Sequence, residues 1–251
     1  MLRIAGLTKQ FGGLRVLDEV SFQVPEGHIF GLIGPNGAGK TTLFNLVTGI
    51  LQTTSGSVHL GDTLLTGLPP HRITRAGIGR TFQNIRIFRE MTLLENVMVG
   101  MHDHLRYGLA GMFFALPSQR REEQRGRERA LELLSWVNLA DKAALEAGSL
   151  SYGEQRKLEL ARALATEPRM LLVDEPAAGM NPAETAELIA ELTRINQRGY
   201  TILLIEHDMQ LVMGLCQRIA VLNFGELIAE GSPAEIRNHP QVIEAYLGKD
   251  A

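Results

Sequence analysis

The sequence has few of the features that mark secreted or membrane-spanning proteins. One cysteine, Cys216, occurs among its 251 residues, so no disulfide can form within the chain. The longest nearly uncharged stretch, residues 108–116, is far shorter than the ~20 residues that a helix needs to cross a bilayer. Residues 1–7 lack the basic segment and the long apolar run of a secretory signal. We therefore expect a globular protein of the cytosol.

The charge composition lacks the basic excess that is typical of nucleic-acid-binding proteins. Lysine and arginine number 25 against 28 aspartates and glutamates, a formal net charge of −3. The charge-dense run at residues 122–129 intersperses arginines with glutamates, which predicts a solvated helix face. Since 45% of the residues are hydrophobic, the chain has ample material for a packed core. We expect no nucleic-acid partner.

Residues 34–41 read Gly-Pro-Asn-Gly-Ala-Gly-Lys-Thr and are called the phosphate loop below. An apolar run precedes them and a helix-like segment follows, which is the setting that a phosphate-binding motif requires. The glycines let consecutive N–H groups turn toward one anion, and the helix adds the positive end of its dipole. Lys40 can reach the β- and γ-phosphates of a nucleotide, and the hydroxyl of Thr41 can bind Mg²⁺. The phosphate-binding residues that we predict are Gly34, Pro35, Asn36, Gly37, Ala38, Gly39, Lys40, Thr41 and Thr42.

Two later apolar runs each lead to polar side chains. Residues 170–173 are followed by Asp174 and Glu175, and residues 201–205 are followed two positions on by His207. Open α/β sheets bind their ligands at the carboxyl ends of the strands. Asp174 suits the Mg²⁺ shell, Glu175 can orient or deprotonate a water beside the γ-phosphate, and His207 can touch a terminal phosphate. Without the phosphate loop upstream, each would be read as an ordinary strand end.

Three further positions allow two interpretations from the residues alone. Ser151 with Glu154 forms a capping box before a helical stretch, and the same geometry places a hydroxyl at a helix N-terminus, where anions bind. Phe11, which we predict in a loop beside the first strands, either stacks on an adenine ring or packs as an ordinary core residue. Gln83 ends a short β-like run and gives no signal by itself.

Helix-forming residues dominate the middle of the chain. Residues 130–137 continue the charge-dense run as an amphipathic helix. Residues 109–116 form a short apolar segment that is either buried core or a surface facing a membrane partner. We predict a helical insertion in this part of the chain.

Five motifs, in their order along the chain, closely resemble those of the ATP-binding subunits of ABC transporters. They are the phosphate loop, Gln83 after a strand, Leu-Ser-Tyr-Gly-Glu-Gln at 150–155 (the signature segment), Leu-Leu-Val-Asp-Glu at 171–175 and Glu-His-Asp at 206–208. The resemblance implies an α/β P-loop NTPase fold of the ABC type, with a mainly parallel core sheet, an N-terminal antiparallel β layer and an inserted helical subdomain. It implies one nucleotide-binding domain, whose ATP-binding core is about 1–83 and 160–251 and whose helical, signature-bearing subdomain is about 84–159.

The resemblance also implies how ATP and Mg²⁺ are bound. Phe11 would stack on adenine, and residues 34–42 would surround the phosphates. Thr41 and Asp174 would bind or support the Mg²⁺ ion. Gln83 would link the ion and the attacking water to a membrane partner.

Catalytic residues and a second subunit follow from the same resemblance. Glu175 would be the catalytic base, His207 would secure the γ-phosphate, and Gln83 would assist them. Ser151 and Gly153, with Glu154 beside them, would contact the γ-phosphate held by another ATP-binding subunit. The resemblance therefore implies a head-to-tail dimer that ATP closes.

The chain departs from the family pattern at two places. Tyr152 stands where the signature segment commonly has a second glycine, so we expect its ring to point away from the nucleotide. Residues 177–182 read Ala-Ala-Gly-Met-Asn-Pro in place of a Ser-Ala-Leu-Asp-like run, and Asn181 replaces the aspartate. The charge-based part of communication between subunits is left open by that replacement.

Both departures, with residues 81–84, 205–209 and 242–248, resemble the branched-chain amino acid importers. Importers of urea or other amides and lipopolysaccharide exporters share much of the pattern and stay as alternatives. The resemblance implies a peripheral ATPase on the cytoplasmic face of a bacterial inner membrane. Its partners would be a second ATP-binding subunit, integral permease subunits and, indirectly, a periplasmic substrate-binding protein.

Two rivals belong to other functional classes. A soluble ABC-type ATPase that remodels nucleic acid or ribosomes usually has two nucleotide-binding units, a long coiled coil or a zinc insertion. This chain has one unit, one cysteine and no sustained heptads. A non-catalytic nucleotide sensor is disfavoured because Lys40, Asp174, Glu175 and His207 are all present.

Overall fold

The computed structural model of the chain describes residues 1–102 and 117–247. The apolar segment 109–116 lies outside the described residues, so its two interpretations stay open. The strands are β1 Leu2–Phe11, β2 Leu14–Val24, β3 Ile29–Ile33, β4 Ser55–Leu60, β5 Thr63–Leu64, β6 Ile78–Arg80, β7 Met170–Asp174, β8 Thr201–Ile205, β9 Arg218–Asn223 and β10 Glu226–Gly231. The α-helices are α1 Lys40–Val47, α2 Pro70–Arg75, α3 Leu93–Gly100, α4 Pro117–Trp136, α5 Tyr152–Leu164, α6 Pro182–Gln197, α7 Met209–Leu215, α8 Pro233–Arg237 and α9 Pro240–Leu247.

The core sheet has six strands in the order β10-β9-β3-β8-β7-β6. The five strands from β9 to β6 are parallel, and β10 joins β9 as an antiparallel hairpin. Every residue of β3, β7 and β8 is buried, because helices and the second sheet cover both faces. This explains why those strands appear in the sequence as unbroken apolar runs, and it confirms the predicted parallel core.

The second sheet is antiparallel, with the strand order β2-β1-β4-β5. In β2, Val20, Phe22 and Val24 are buried and alternate with exposed residues, as expected for a sheet with one covered face. The ring of Phe22 stacks on that of Phe30 in β3, with 5.5 Å between ring centres. Helix α1 contributes buried Phe44 to the same core. The predicted N-terminal antiparallel layer is confirmed.

A helical region lies between β6 and β7 in the sequence, as predicted. Helices α3, α4 and α5 pack together through buried side chains such as Val97, Leu133 and Leu158. Helix α5 begins with the signature segment and ends beside the core sheet, so it crosses the predicted division near residue 160. Among the described residues, none of the helices combines the length and apolarity of a bilayer-crossing segment.

Candidate functional site

The phosphate loop connects β3 to α1 at the carboxyl edge of the core sheet. Gly34, Gly37 and Gly39 adopt φ angles of 152°, 82° and 101°. A Cβ at Gly34 would lie 2.1 Å from the carbonyl oxygen of Leu222, and one at Gly39 would lie 2.6 Å from Cδ2 of Leu17. The loop is therefore packed between β9 and β2, and only glycine fits at these two contacts. Around Gly37 no atom lies within 4 Å of a Cβ, so the centre of the loop faces open space.

Lys40 folds back over the loop that precedes it. Its Nζ donates to the carbonyl oxygens of Gly34 at 2.6 Å and Pro35 at 3.0 Å. Burial lowers the pKa of Lys40, and the carboxylates of Glu175 and Asp174 oppose that shift. Both acceptors belong to the phosphate loop, so the ammonium group lies against the loop.

Asp174, at the end of β7, forms a buried ion pair with Arg80. Arg80 Nη2 donates to Asp174 Oδ2 at 3.0 Å, and Nη1 donates to Asn45 of α1 at 2.8 Å and to Thr48, which follows α1, at 2.9 Å. Burial raises the pKa of Asp174, and Arg80 opposes the shift. Sequence reasoning missed Arg80. Its available signal was a basic residue at the end of β6, the strand that pairs with β7.

Glu175 and Gln83 lie in contact. Gln83 Nε2 donates to Glu175 Oε2 at 2.8 Å, although 92 residues separate the two in sequence. The backbone of Glu175 has a φ of 46°, which turns its side chain away from the direction of Asp174. Its N–H donates to the carbonyl of Ile205 at 2.9 Å, so the turn is fixed to the end of β8.

His207 and Glu206 follow β8 next to this pair. The His207 side chain is 61% exposed, with Nδ1 3.8 Å from Glu206 Oε2. Glu206 is buried, and it accepts hydrogen bonds from the N–H groups of Ala177 at 2.9 Å and His207 at 3.1 Å. Burial raises the pKa of Glu206. Glu206 was not predicted as a site residue, yet it ties the segment after Glu175 to the segment carrying His207.

The signature segment starts α5 with the predicted capping box. Glu154 N–H donates to Ser151 Oγ at 3.4 Å, and Ser151 N–H donates to Glu154 Oε2 at 3.0 Å. Lys142 forms an ion pair with Glu154. A Cβ at Gly153 would lie 3.2 Å from Glu184 Oε1, so Gly153 packs closely against α6. The exposed hydroxyl of Ser151 stands at the N-terminus of α5, where the helix dipole favours an anion.

Tyr152 and Asn181, the two residues that depart from the family pattern, each make specific contacts within the chain. Tyr152 faces residues of its own chain, because its hydroxyl accepts from Arg156 Nη2 at 2.9 Å and its ring covers Gly179. Asn181 is the N-cap of α6, and its Oδ1 accepts from two N–H groups of the first turn at 2.9 and 3.0 Å. Asn181 therefore fills the capping role for which an aspartate is equally suited.

Phe11 was predicted in a loop, and this placement is wrong. The two-residue turn at residues 12–13 extends strand pairing as far as Phe11 and Leu14, so Phe11 is the last residue of β1. Phe11 is 45% exposed, and Lys9 Nζ lies 4.7 Å from the centre of its ring. Because β2 contacts Gly39 through Leu17, the hairpin stands on the phosphate-loop side of the sheet.

Models of two families match the sequence. The ABC transporter model matches residues 17–178, and the branched-chain amino acid ATP-binding cassette transporter model matches residues 226–251. The high-affinity branched-chain amino acid transport ATP-binding protein BraF of Pseudomonas aeruginosa is 47% identical over 250 residues, covering 99% of this chain and 98% of BraF. LivG of Salmonella typhimurium, with the same description, is 49% identical over 252 residues, again 99% of this chain and 98% of LivG.

Solved structures of ABC cassettes share the fold. The ADP conformation of MJ1267, an ATP-binding cassette of an ABC transporter, has a TM-score of 0.86 and 33% identity over 99% of both chains. The dimeric structure of MJ0796, a bacterial ABC transporter cassette, has a TM-score of 0.78 and 26% identity over 93% of this chain and 99% of that one. The chain is therefore an ATP-binding ATPase of the ABC transporter family, in the branch of the branched-chain amino acid transport ATP-binding proteins.

Proposed function

We propose that the protein is the ATP-hydrolysing subunit of an importer for branched-chain amino acids, which cross the membrane through separate permease subunits. The observation that carries this proposal is similarity over nearly the whole chain to BraF and LivG, including the tail at 226–251. The protein would be peripheral, on the cytoplasmic face of a bacterial inner membrane. A periplasmic substrate-binding protein would deliver the amino acid to the permease.

ATP would bind across the phosphate loop and the first hairpin. The exposed side chain of Phe11 stacks on adenine, and the open space around Gly37 receives the phosphates. Lys40 exchanges its two carbonyl partners for phosphate oxygens. The remaining contacts come from the residues at 34–42, as the motif predicts.

The residues present fit a Mg²⁺ ion. Among the described residues, no three of His, Cys, Asp and Glu form a group that would hold a metal alone. Nucleotide-bound Mg²⁺ needs only one or two protein oxygens, since phosphates and waters supply the rest. Thr41 offers an exposed hydroxyl, Asp174 a carboxylate, and Gln83 an amide oxygen, because its nitrogen is used by Glu175. When bound, the ion would neutralise charge on the phosphates.

Glu175 would act as the general base of hydrolysis. Gln83 holds the carboxylate at 2.8 Å and can orient the same water. The water oxygen attacks the γ-phosphorus, its proton passes to Glu175, and the bond to the ADP oxygen breaks. His207, exposed at the edge of the site, hydrogen-bonds the γ-phosphate.

The second half of each site would come from a second ATP-binding subunit. Ser151 and Gly153, with Glu154 fixing the start of α5, present a hydroxyl and N–H groups to the γ-phosphate held by Lys40 of the partner subunit. We assign residues 1–83 and 160–251 to the ATP-binding core and 84–159 to the helical subdomain that brings the signature segment to the partner. Hydrolysis removes the bridging phosphate and so opens the dimer.

A permease would dock in the groove between the core and the helical subdomain. A cavity of about 510 Å³ lies there, lined by residues from the segment after α1, from α2 and β6, from the loop around Phe82, and from α3, α5 and the residues after α5. Ile50, Phe88 and Val99, which line this cavity, are 48%, 46% and 42% exposed. An apolar rim beside Gln83 suits a short segment of a membrane subunit.

Glu175→Gln tests the catalytic assignment. It keeps the shape of the side chain but removes the base, so ATP binding should persist while turnover falls by about 10²–10⁴-fold. Size-exclusion chromatography with ATP should show a trapped dimer, and leucine uptake should be lost in cells with only this copy. Asp62→Asn, an exposed carboxyl in the β4–β5 turn, is the control and should behave as wild type. Rapid turnover by Glu175→Gln would contradict the assignment, and uptake of urea in place of leucine would contradict the substrate.

A further inference from the structure

Tyr152 stands between the signature segment and two other parts of its own subunit. Its hydroxyl accepts from Arg156 Nη2 at 2.9 Å, and the Arg156 guanidinium carbon lies 5.4 Å from its ring centre. A Cβ at Gly179 would lie 3.4 Å from Tyr152 Cε1, so the ring covers the segment that follows Glu175. The Tyr152 side chain thus contacts both α5 and the loop that follows Glu175.

Arg156 extends this contact to Gln83. It is 5% exposed, its Nη1 donates to the carbonyl of Phe82 at 2.6 Å, and its Nη2 donates to the carbonyl of Gln83. The Gln83 side chain in turn donates to Glu175 Oε2. Hydrogen bonds therefore join Tyr152 to Arg156, Arg156 to the backbone of Gln83, and the side chain of Gln83 to Glu175.

We propose that Tyr152 is a positioning residue that couples the nucleotide bound to one subunit with the base of the other site. The inference rests on the proposed head-to-tail dimer, in which Ser151 contacts the partner's γ-phosphate. Engagement of Ser151 moves the first turn of α5, and Tyr152 and Arg156 move with it. The carbonyls of residues 82–83 follow, and Gln83, which is already hydrogen-bonded to Glu175, shifts the position of the base.

The coupling makes hydrolysis at one site depend on ATP at the other. The contact between Ser151 and the partner's γ-phosphate exists only while the partner holds ATP, and it shifts the arrangement of Gln83 and Glu175. Cooperativity between sites requires such a difference in contacts between the two states. A glycine at position 152, which the family commonly has, would lack both the hydroxyl and the cover over Gly179. Tyr152 supplies both, and its hydroxyl is the group to test.

Tyr152→Phe tests the coupling because it keeps the ring over Gly179 and removes one of the hydrogen-bond acceptors of Arg156. ATP hydrolysis by the full-length chain should be measured against ATP concentration. We expect the Hill coefficient to fall toward about 1 from a value near the number of coupled sites, roughly 2. We expect kcat to fall about three- to tenfold, which corresponds to the net contribution of one typical hydrogen bond. Equilibrium binding of ATP to the isolated subunit should be unchanged, since Tyr152 does not line its own subunit's phosphate loop.

Tyr200→Phe is a matched control. The Tyr200 hydroxyl also hydrogen-bonds an arginine, Arg129, but its ring packs edge-on against Trp136 of α4. Its Hill coefficient and kcat should equal those of the wild type, and thermal unfolding should show that both variants are folded.

The dimer and the coupling can be tested separately. In a Glu175→Gln background, ATP should still drive dimer formation with either residue at position 152. If the Glu175→Gln chain does not dimerise with ATP, the proposed function is at fault. If it dimerises, and Tyr152→Phe keeps the wild-type Hill coefficient and kcat, the coupling proposal is overturned.

Discussion

Gly34 and Gly37 differ in what a methyl group would meet. A Cβ at Gly34 would lie 2.1 Å from the carbonyl oxygen of Leu222, whereas Gly37 has open space around it. Gly34→Ala should therefore separate β3 from β9 and cost about 4 kcal/mol or more in the free energy of unfolding. Gly37→Ala should cost only the left-handed backbone penalty, about 1–2 kcal/mol. Urea denaturation of both variants checks this, and equal losses would contradict the packing argument.

At the same scale, the motifs in the sequence located part of the site but not its buried partners. Lys40, Asp174 and Glu175 follow local patterns that a phosphate site requires. Arg80 and Glu206 are set by contacts between distant segments: Arg80 lies 94 residues from Asp174 in sequence. No local periodicity encodes such a pair, because it depends on which strands become neighbours. Gln83 was identified only through the family resemblance, for the same reason.

Secondary-structure elements were easier to predict than their contacts. The strands β3, β7 and β8 are unbroken apolar runs, and Ser151 marks the first turn of α5 through its capping box. These features are local, so the sequence shows them directly. Phe11 was misplaced because a two-residue turn can prolong strand pairing beyond the last alternating residue. The division near residue 160 stays a prediction, since α5 continues across it.

The junction of α5 and α6 depends on a buried ion pair. Lys157 Nζ lies 3.0 Å from Glu191 Oε1 and 2.7 Å from Glu187 Oε2, and the Glu191 side chain is 0% exposed. Lys157→Met leaves the Glu191 carboxylate buried without its cation, so we expect a loss of about 3–5 kcal/mol in the free energy of unfolding. Adding Glu191→Leu should recover most of that loss, because it removes the uncompensated charge. Urea denaturation of the single and double variants measures the difference.

The pH dependence of the unfolding free energy gives an independent check on the ion pair between Lys157 and Glu191. Burial already raises the pKa of Glu191, with Lys157 opposing, so Lys157→Met should raise that pKa further. A carboxyl whose folded pKa lies above its unfolded value contributes stability at low pH and loses it as the pH rises through the folded pKa. The difference in unfolding free energy between the wild type and Lys157→Met should therefore shrink as the pH falls from 8 toward about 5. A deficit that grows on acidification, or a double variant as unstable as the single one, would contradict the ion-pair account.

In the whole molecule, the groove between the core and the helical subdomain shares residues with the candidate ATP site. Arg80 and Phe82 line the cavity, while Arg80 pairs with Asp174 and the carbonyl of Phe82 binds Arg156. A partner in the groove would therefore contact side chains that position the ATP site. The sequence could not show this groove, because its lining residues come from segments between residues 48 and 166.

Val99→Asp tests whether the groove docks the permease. Val99 is 42% exposed on α3 and lines the cavity, so an aspartate there would place a charge in an apolar contact and weaken assembly at least about tenfold. Leu131→Asp on α4, where the leucine is 40% exposed away from the cavity lining, is the matched control. Co-purification of the permease subunits and leucine uptake should fail for Val99→Asp alone, while ATP binding persists in both variants. If both variants assemble equally well, the permease binds elsewhere, since a docking contact at α3 cannot tolerate a buried unpaired carboxylate.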